Sequence, residues 1–256
     1  MARLPLTWQD TQLAEGFYSS SISNLETGSV YTFLPTGYEP KYPYPLVVFF
    51  HDHGSCEKST LKIAPRISRR NYICISLRGI SALGIQPDGR TGYTWSENTQ
   101  SAEAVDCIDL IEQYMVRAVE QTRRTYHVHS ERIYLAGIGR GADIAYRIGL
   151  NMPEKIAGII ALNGTIPPAN GGPLFRLPDV RQLRILISHG SANRQVPLES
   201  AHRDFRLFYS AGVDVQFKSY PTNHRLHTDM FRDINRFIMS GIESEFGLEP
   251  SYASEE

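Results

Sequence analysis

The residues that bear most directly on chemistry in this sequence lie in Ile133-Tyr134-Leu135-Ala136-Gly137-Ile138-Gly139-Arg140-Gly141-Ala142. An apolar run enters a glycine-rich turn here, which is the frame of a nucleophile elbow, G-x-S-x-G, where a strand turns sharply into a helix and presents a serine. Gly139 stands at the serine position. Its side chain offers no oxygen or sulfur, so acyl-enzyme chemistry has no nucleophile at that point. The same run reads Gly137-x-Gly139-x-x-Ala142, matching the dinucleotide fingerprint G-x-G-x-x-G/A. That reading is disfavoured, because such a turn normally follows the first strand and is followed about 20 residues later by an acid. At least two strand-like runs precede this one, and the next ends Ala161-Leu162-Asn163.

The elements that must position this turn are legible as apolar runs. Phe17 to Ser23 and Val30 to Leu34 flank the turn-rich Asn24–Gly28 as a hairpin. Leu46 to Phe50, Tyr72 to Leu77, Arg132 to Ala136, Ile156 to Leu162, Ile185 to Ser188 and Val213 to Ser219 are short and rich in Ile, Leu or Val, as in strands buried on both faces. Helical spacing separates most of them. Ile108, Ile111, Met115 and Ala118 mark an amphipathic helix of about five turns. The alternation predicts an α/β fold with a mainly parallel sheet. Gly79 to Thr99 and Asn163 to Val180 read as irregular and follow strands, which makes them candidate pocket walls. One domain over 1–242 and an acidic, flexible tail over 243–256 are expected.

Composition narrows the function classes. The 256 residues are 41% hydrophobic and 21% charged, with a formal net charge of −1. That balance suits one sizeable core and gives no electrostatic case for nucleic acid or an anionic membrane as partner. Cys56, Cys74 and Cys107 are odd in number and lack zinc-ligand spacing, so they read as free thiols in a reducing compartment. Neither Met1–Asp10 nor any other stretch reads as a signal peptide or bilayer span, and a cytoplasmic location is the expectation.

Four segments, each after an apolar strand, resemble the α/β-hydrolase superfamily over Tyr31 to Ile238, in particular its carboxylesterase and phospholipase-like branch. Phe50-His51-Asp52-His53-Gly54-Ser55 is similar to the oxyanion loop H-G-x-G, with Asp52 replacing a glycine. Gly137 to Gly141 is the elbow. Ile185 to Pro197 is similar to the run H-G-x-x-D-x-x-V-P, with Asn193 replacing the aspartate. Tyr220-Pro221-Thr222-Asn223-His224 resembles the loop that delivers the histidine. The resemblance implies that Gly139 is the nucleophile position, Asn193 the acid position and His224 the histidine, with His227 as second choice. It places the oxyanion-hole N–H groups on His53 and Arg140. Asp52 and Trp95 are expected at the pocket. An inward Asp52 would oppose developing negative charge, and an amide at 193 lacks the charge that orients the imidazole, a loss on the order of 10⁴ in a serine-protease precedent.

Other sources of chemistry are weaker. Ser55 and Cys56 adjoin the oxyanion loop but do not lie on the elbow. His51, His53, His189 and His224 could gather near Asp52, yet no helical H-x-x-x-H accompanies them, and neither metal nor cofactor is expected. Departures at 52, 139 and 193 together make a single knockout an insufficient account. The resulting expectation is a hydrolase-fold protein that has lost serine hydrolysis and binds an unidentified small molecule or protein. The alternative is a hydrolase or lyase in which His224 acts as a base on a bound water.

Overall fold

The structure is a computed structural model that describes residues 16–22, 28–87, 89–97, 107–166 and 180–245. Its centre is an eight-stranded sheet. In chain order the strands are β1 (Gly16–Ser21), β2 (Ser29–Leu34), β3 (Tyr44–Phe50), β4 (Ile73–Leu77), β7 (Val128–Ile138), β8 (Gly158–Leu162), β9 (Arg184–Gly190) and β10 (Asp214–Tyr220). They lie in the order β1-β2-β4-β3-β7-β8-β9-β10. The β1–β2 and β2–β4 pairs are antiparallel, and every pair from β4 to β10 is parallel. The N-terminal hairpin therefore caps a parallel sheet, as the sequence predicts.

The apolar runs lack strand-like alternation because both faces of the sheet are covered. Successive side chains of β3 point to opposite faces. Leu46, Val48 and Phe50 pack with Ile111 and Met115 of α3 (Ile108–Thr125), Ile144 and Ile148 of α4 (Arg140–Asn151) and Phe208 of α5 (Leu198–Ser210). Val47 and Phe49 pack instead with Leu61 of α1 (Glu57–Leu61), Ile67 of α2 (Ala64–Ile67) and Phe231, Ile234 and Phe237 of α6 (Thr228–Glu245). Phe49 is fully buried in this second layer, and truncating such a side chain to alanine costs about 3–5 kcal/mol.

Gly79–Thr99 departs from the expectation of an irregular wall. It contains the antiparallel ribbon β5 (Ser81–Ile85) and β6 (Thr91–Thr94). Its strands are five and four residues long and each contains a glycine, too short to set up a hydrophobic period. The ribbon braces the loop after β3: Gly54 N–H donates to the Tyr93 carbonyl at 3.0 Å, and Tyr93 N–H donates to the Ser55 carbonyl at 2.8 Å. Helix α6 runs to Glu245, into the segment expected as a tail. The rest of that tail, the Met1–Asp10 leader reading and most of Asn163–Val180 fall outside the described residues.

Candidate active site

Parallel strands bring their C-terminal ends to one edge, and the loops after β3, β7, β9 and β10 meet there. At the elbow, Gly139 has φ 53° and ψ −115°. This left-handed conformation is costly for residues with a Cβ, so glycine occupies it with least strain. The sharp turn forms here around a glycine. Gly141 is needed for a different reason, since a Cβ there would overlap the Phe50 carbonyl.

Asp52 points inward. Its Oδ1 accepts hydrogen bonds from the backbone N–H of His53 and of Arg140, both at 2.8 Å. These are the two groups that the resemblance assigns to the oxyanion hole. The Arg140 N–H lies in the first turn of α4, where the helix dipole also favours an anion. Oδ2 lies 2.7 Å from His224 Nε2. A Cβ placed on Gly139 would overlap this carboxylate. One side chain thus fills both the oxyanion position and the space that a serine would need. Burial raises the carboxyl pKa, but hydrogen bonds from His224 and the Arg140 N–H outweigh it and hold Asp52 below the usual carboxylate range.

His224 is held at both ring nitrogens. Its Nδ1 lies 3.2 Å from Asn193 Oδ1. That oxygen also accepts from the Gln195 and Val196 backbone N–H groups at 3.0 and 3.2 Å, which fixes the amide with its oxygen toward the ring. An oxygen acceptor at Nδ1 calls for a proton on that nitrogen. With a carboxylate oxygen at Nε2 as well, oxygen atoms flank both ring nitrogens. The amide keeps the shape of the expected aspartate and lacks its charge.

Supporting residues explain why the Asp52 loop holds this pose. His51 is fully buried, donates from Nδ1 to the Asp52 carbonyl at 2.7 Å and accepts the Gly79 N–H at Nε2 at 2.8 Å. Burial lowers its pKa to about 4, so it stays neutral and acts as a pin. Trp95 lies beneath this loop rather than in the space above Gly139. It is 2% exposed, with its indole N–H donating to the His51 carbonyl at 2.9 Å. The Arg140 side chain is exposed, and His227 stacks on Tyr220, its Nδ1 accepting the Asp229 N–H at 3.3 Å.

Sequence reading missed Asn163. Fully buried with φ 55°, it donates from Nδ2 to the His224 carbonyl at 2.9 Å and accepts the Gly190 N–H at Oδ1 at 2.8 Å. It ties the histidine loop to the end of β9. The available signal was an asparagine closing an apolar strand, since asparagine tolerates left-handed backbone better than most residues.

The carboxylate borders an open crevice of about 410 Å³ walled in part by Ser55, Cys56, Arg90 and Thr91. Cys56 is buried and its thiol donates to Ser59 Oγ at 3.3 Å. Among the described residues no three His, Cys, Asp or Glu side chains form a metal-ligand cluster.

Comparison with known proteins agrees with this architecture. The chain is 30% identical over 125 residues to acyl-protein thioesterase 1 of Mycosarcoma maydis, covering 47% of this chain and 52% of that protein. It is 24% identical over 118 residues to a probable carboxylesterase SOBER1-like protein of Arabidopsis thaliana, covering 46% of this chain and 45% of that one. The chain thus spans about half the length of these curated relatives. Among solved structures, the Bacillus cereus carboxylesterase superposes with a TM-score of 0.65 at 12% identity, over 84% of this chain and 95% of that one. A carboxylesterase from Mesorhizobium loti gives 0.65 at 16% identity, over 86% and 98%. At such identities the structures speak for the fold alone. The sequence profile of the phospholipase/carboxylesterase family matches residues 39–242, and the chain belongs to that α/β-hydrolase family.

Proposed function

We propose that this protein has given up ester and thioester hydrolysis through a serine and retains the site to bind a ligand or partner. The observation that carries this reading is the Asp52 carboxylate lying between the His53 and Arg140 N–H groups. Acyl transfer needs those donors free for an oxyanion. A resident negative charge would oppose a second one by roughly 4 kcal/mol at 4 Å with an effective dielectric of 20. The absent nucleophile and the occupied hole therefore act in the same direction.

The name of the Mycosarcoma maydis relative suggests an acyl thioester as the ligand to try first. A cytoplasmic setting belongs to the same proposal, and among the described residues no helix is long and apolar enough to cross a membrane. The alternative of His224 as a base on water is not favoured in the resting geometry, because its Nε2 is engaged by Asp52.

The test is a turnover screen with short p-nitrophenyl esters and acyl thioesters, alongside labelling with a fluorophosphonate probe. The expected result is no specific serine labelling and no hydrolysis that depends on His224. Stoichiometric, heat-sensitive labelling of any serine would overturn the proposal.

A further inference from the structure

A second depression adjoins the crevice at Asp52, and its walls are rich in cations. It has a volume of about 450 Å³ and is lined by Lys58 of α1, Lys62 just after that helix, Arg78 just after β4 and Arg90 between β5 and β6, with Glu57 as its one acid. Cys56, Arg90 and Thr91 line both this depression and the crevice, so one ligand can reach across the two.

The acid does not cancel the charge at the surface. Glu57 is 1% exposed, and its Oε1 accepts from Arg78 Nε and Nη2 at 3.1 and 2.6 Å. The Arg78 side chain is 28% exposed, and its guanidinium lies 4.9 Å from the centre of the Tyr93 ring. A buried carboxylate and an aromatic ring thus hold this cation in place before any ligand arrives, which lowers the ordering cost of binding. Lys58 and Lys62 are exposed, and neither has a carboxylate partner among the described residues. Lys58 sits 6.0 Å from the centre of the Tyr31 ring. The whole chain carries a formal charge of −1, so this concentration of positive charge is local.

We infer that the depression is a phosphate subsite, which takes the phosphomonoester or diphosphate group of a small molecule whose organic part lies in the crevice at Asp52. This rests on the proposed binding role of that crevice and names the chemical class of its ligand. Phosphate is favoured over a carboxylate because cations on separate walls call for an anion with more than one charge and with oxygens facing several directions. With Nε and Nη2 committed to Glu57, Arg78 offers Nη1 as the directional donor, and the two lysines act as point charges around it.

The experiment titrates the full chain with pyrophosphate by isothermal calorimetry. One saturable site is expected, weakening as sodium chloride is raised. Replacing both exposed lysines, Lys58→Gln with Lys62→Gln, should weaken binding by about tenfold. Circular dichroism checks that this variant is folded. Arg78→Gln is a poorer choice, since it would strand the buried Glu57 carboxylate. The control Arg123→Gln with Arg124→Gln, in the last turn of α3, should leave the affinity unchanged. Pyrophosphate should also slow acetylation of Lys58 and Lys62, mapped by peptide mass spectrometry, and leave that of Lys155 unaltered.

The link to the crevice is read with butyl phosphate, which should bind more tightly than inorganic phosphate, an advantage that Thr91→Trp on the shared wall should abolish. Absence of saturable pyrophosphate binding, equal losses in the lysine and control variants, or equal affinity for butyl and inorganic phosphate would each overturn the inference. Serine labelling plays no part in these readouts, so this inference and the loss of serine hydrolysis fail separately.

Discussion

The two sides of the His224 ring have diverged from the expected hydrolase pattern in different ways. On the Nδ1 side, Asn193 replaces a carboxylate with an amide of the same shape, and its oxygen still faces the ring at 3.2 Å. On the Nε2 side the ring meets a carboxylate from another loop instead of a group on the elbow. The elbow carries Gly139, and Asp52, from the loop after β3, lies 2.7 Å from Nε2. The site still holds one carboxylate and one imidazole, with the charge moved across the ring. On the proposed reading, a serine at 139 alone would still meet an occupied oxyanion position and an uncharged partner at Nδ1.

The largest effect should come from reversing both sides together. Gly139→Ser alone is expected to show little esterase activity. The triple variant with Asp52→Gly and Asn193→Asp should exceed it by on the order of 10⁴ in kcat/KM for short p-nitrophenyl esters, because the hole is freed and the imidazolium regains a charged partner. The gains should be strongly non-additive. Hydrolysis by the triple variant that survives His224→Ala would break the comparison at its pivot.

A smaller effect concerns stability on the nucleophile side. Gly139→Ser faces strain at φ 53°, on the order of 1–3 kcal/mol, and a similar cost from overlap with the Asp52 carboxylate. Adding Asp52→Gly should recover the overlap part, giving a coupling of about 1–3 kcal/mol between two residues in contact. Denaturant midpoints for the cycle measure it. Additive effects would mean that the carboxylate swings aside at no cost.

The pH dependence sharpens the same side. Asp52 titrates below its ordinary value of 3.8 in the folded protein, so its stabilising contribution is fully present above pH 3.8 and is lost as pH falls through the folded value. The parent should therefore lose stability more steeply than Asp52→Asn below that pH. Parallel acid limbs in thermal or urea unfolding would remove the carboxylate from the account.

The smallest effect belongs to the Nδ1 side. Asn193→Asp alone should stay within about 1 kcal/mol of the parent, since a stronger charged hydrogen bond to the ring is offset by burial of the carboxylate. A loss of several kcal/mol by chemical denaturation would show that the amide is held for its N–H₂ group as well as its oxygen.

The fold was legible because its strands are covered on both faces and appear as unbroken apolar runs, and because the helices between them keep helical spacing. The loops that carry Gly139, Asn193 and His224 were legible for the same reason, each following a strand that the apolar pattern marks. The β5–β6 ribbon was not, since strands of five and four residues with a glycine in each are too short to carry a hydrophobic period. Asn163 was not, since its hydrogen bonds run to loops far along the chain. The sequence by itself thus determined the family, the strand ends that meet and the absence of a serine at the elbow. Only the tertiary structure decided which way Asp52 points. That direction is set by donors on His53, Arg140 and His224, which lie far apart in the chain and converge only when parallel strands align their ends.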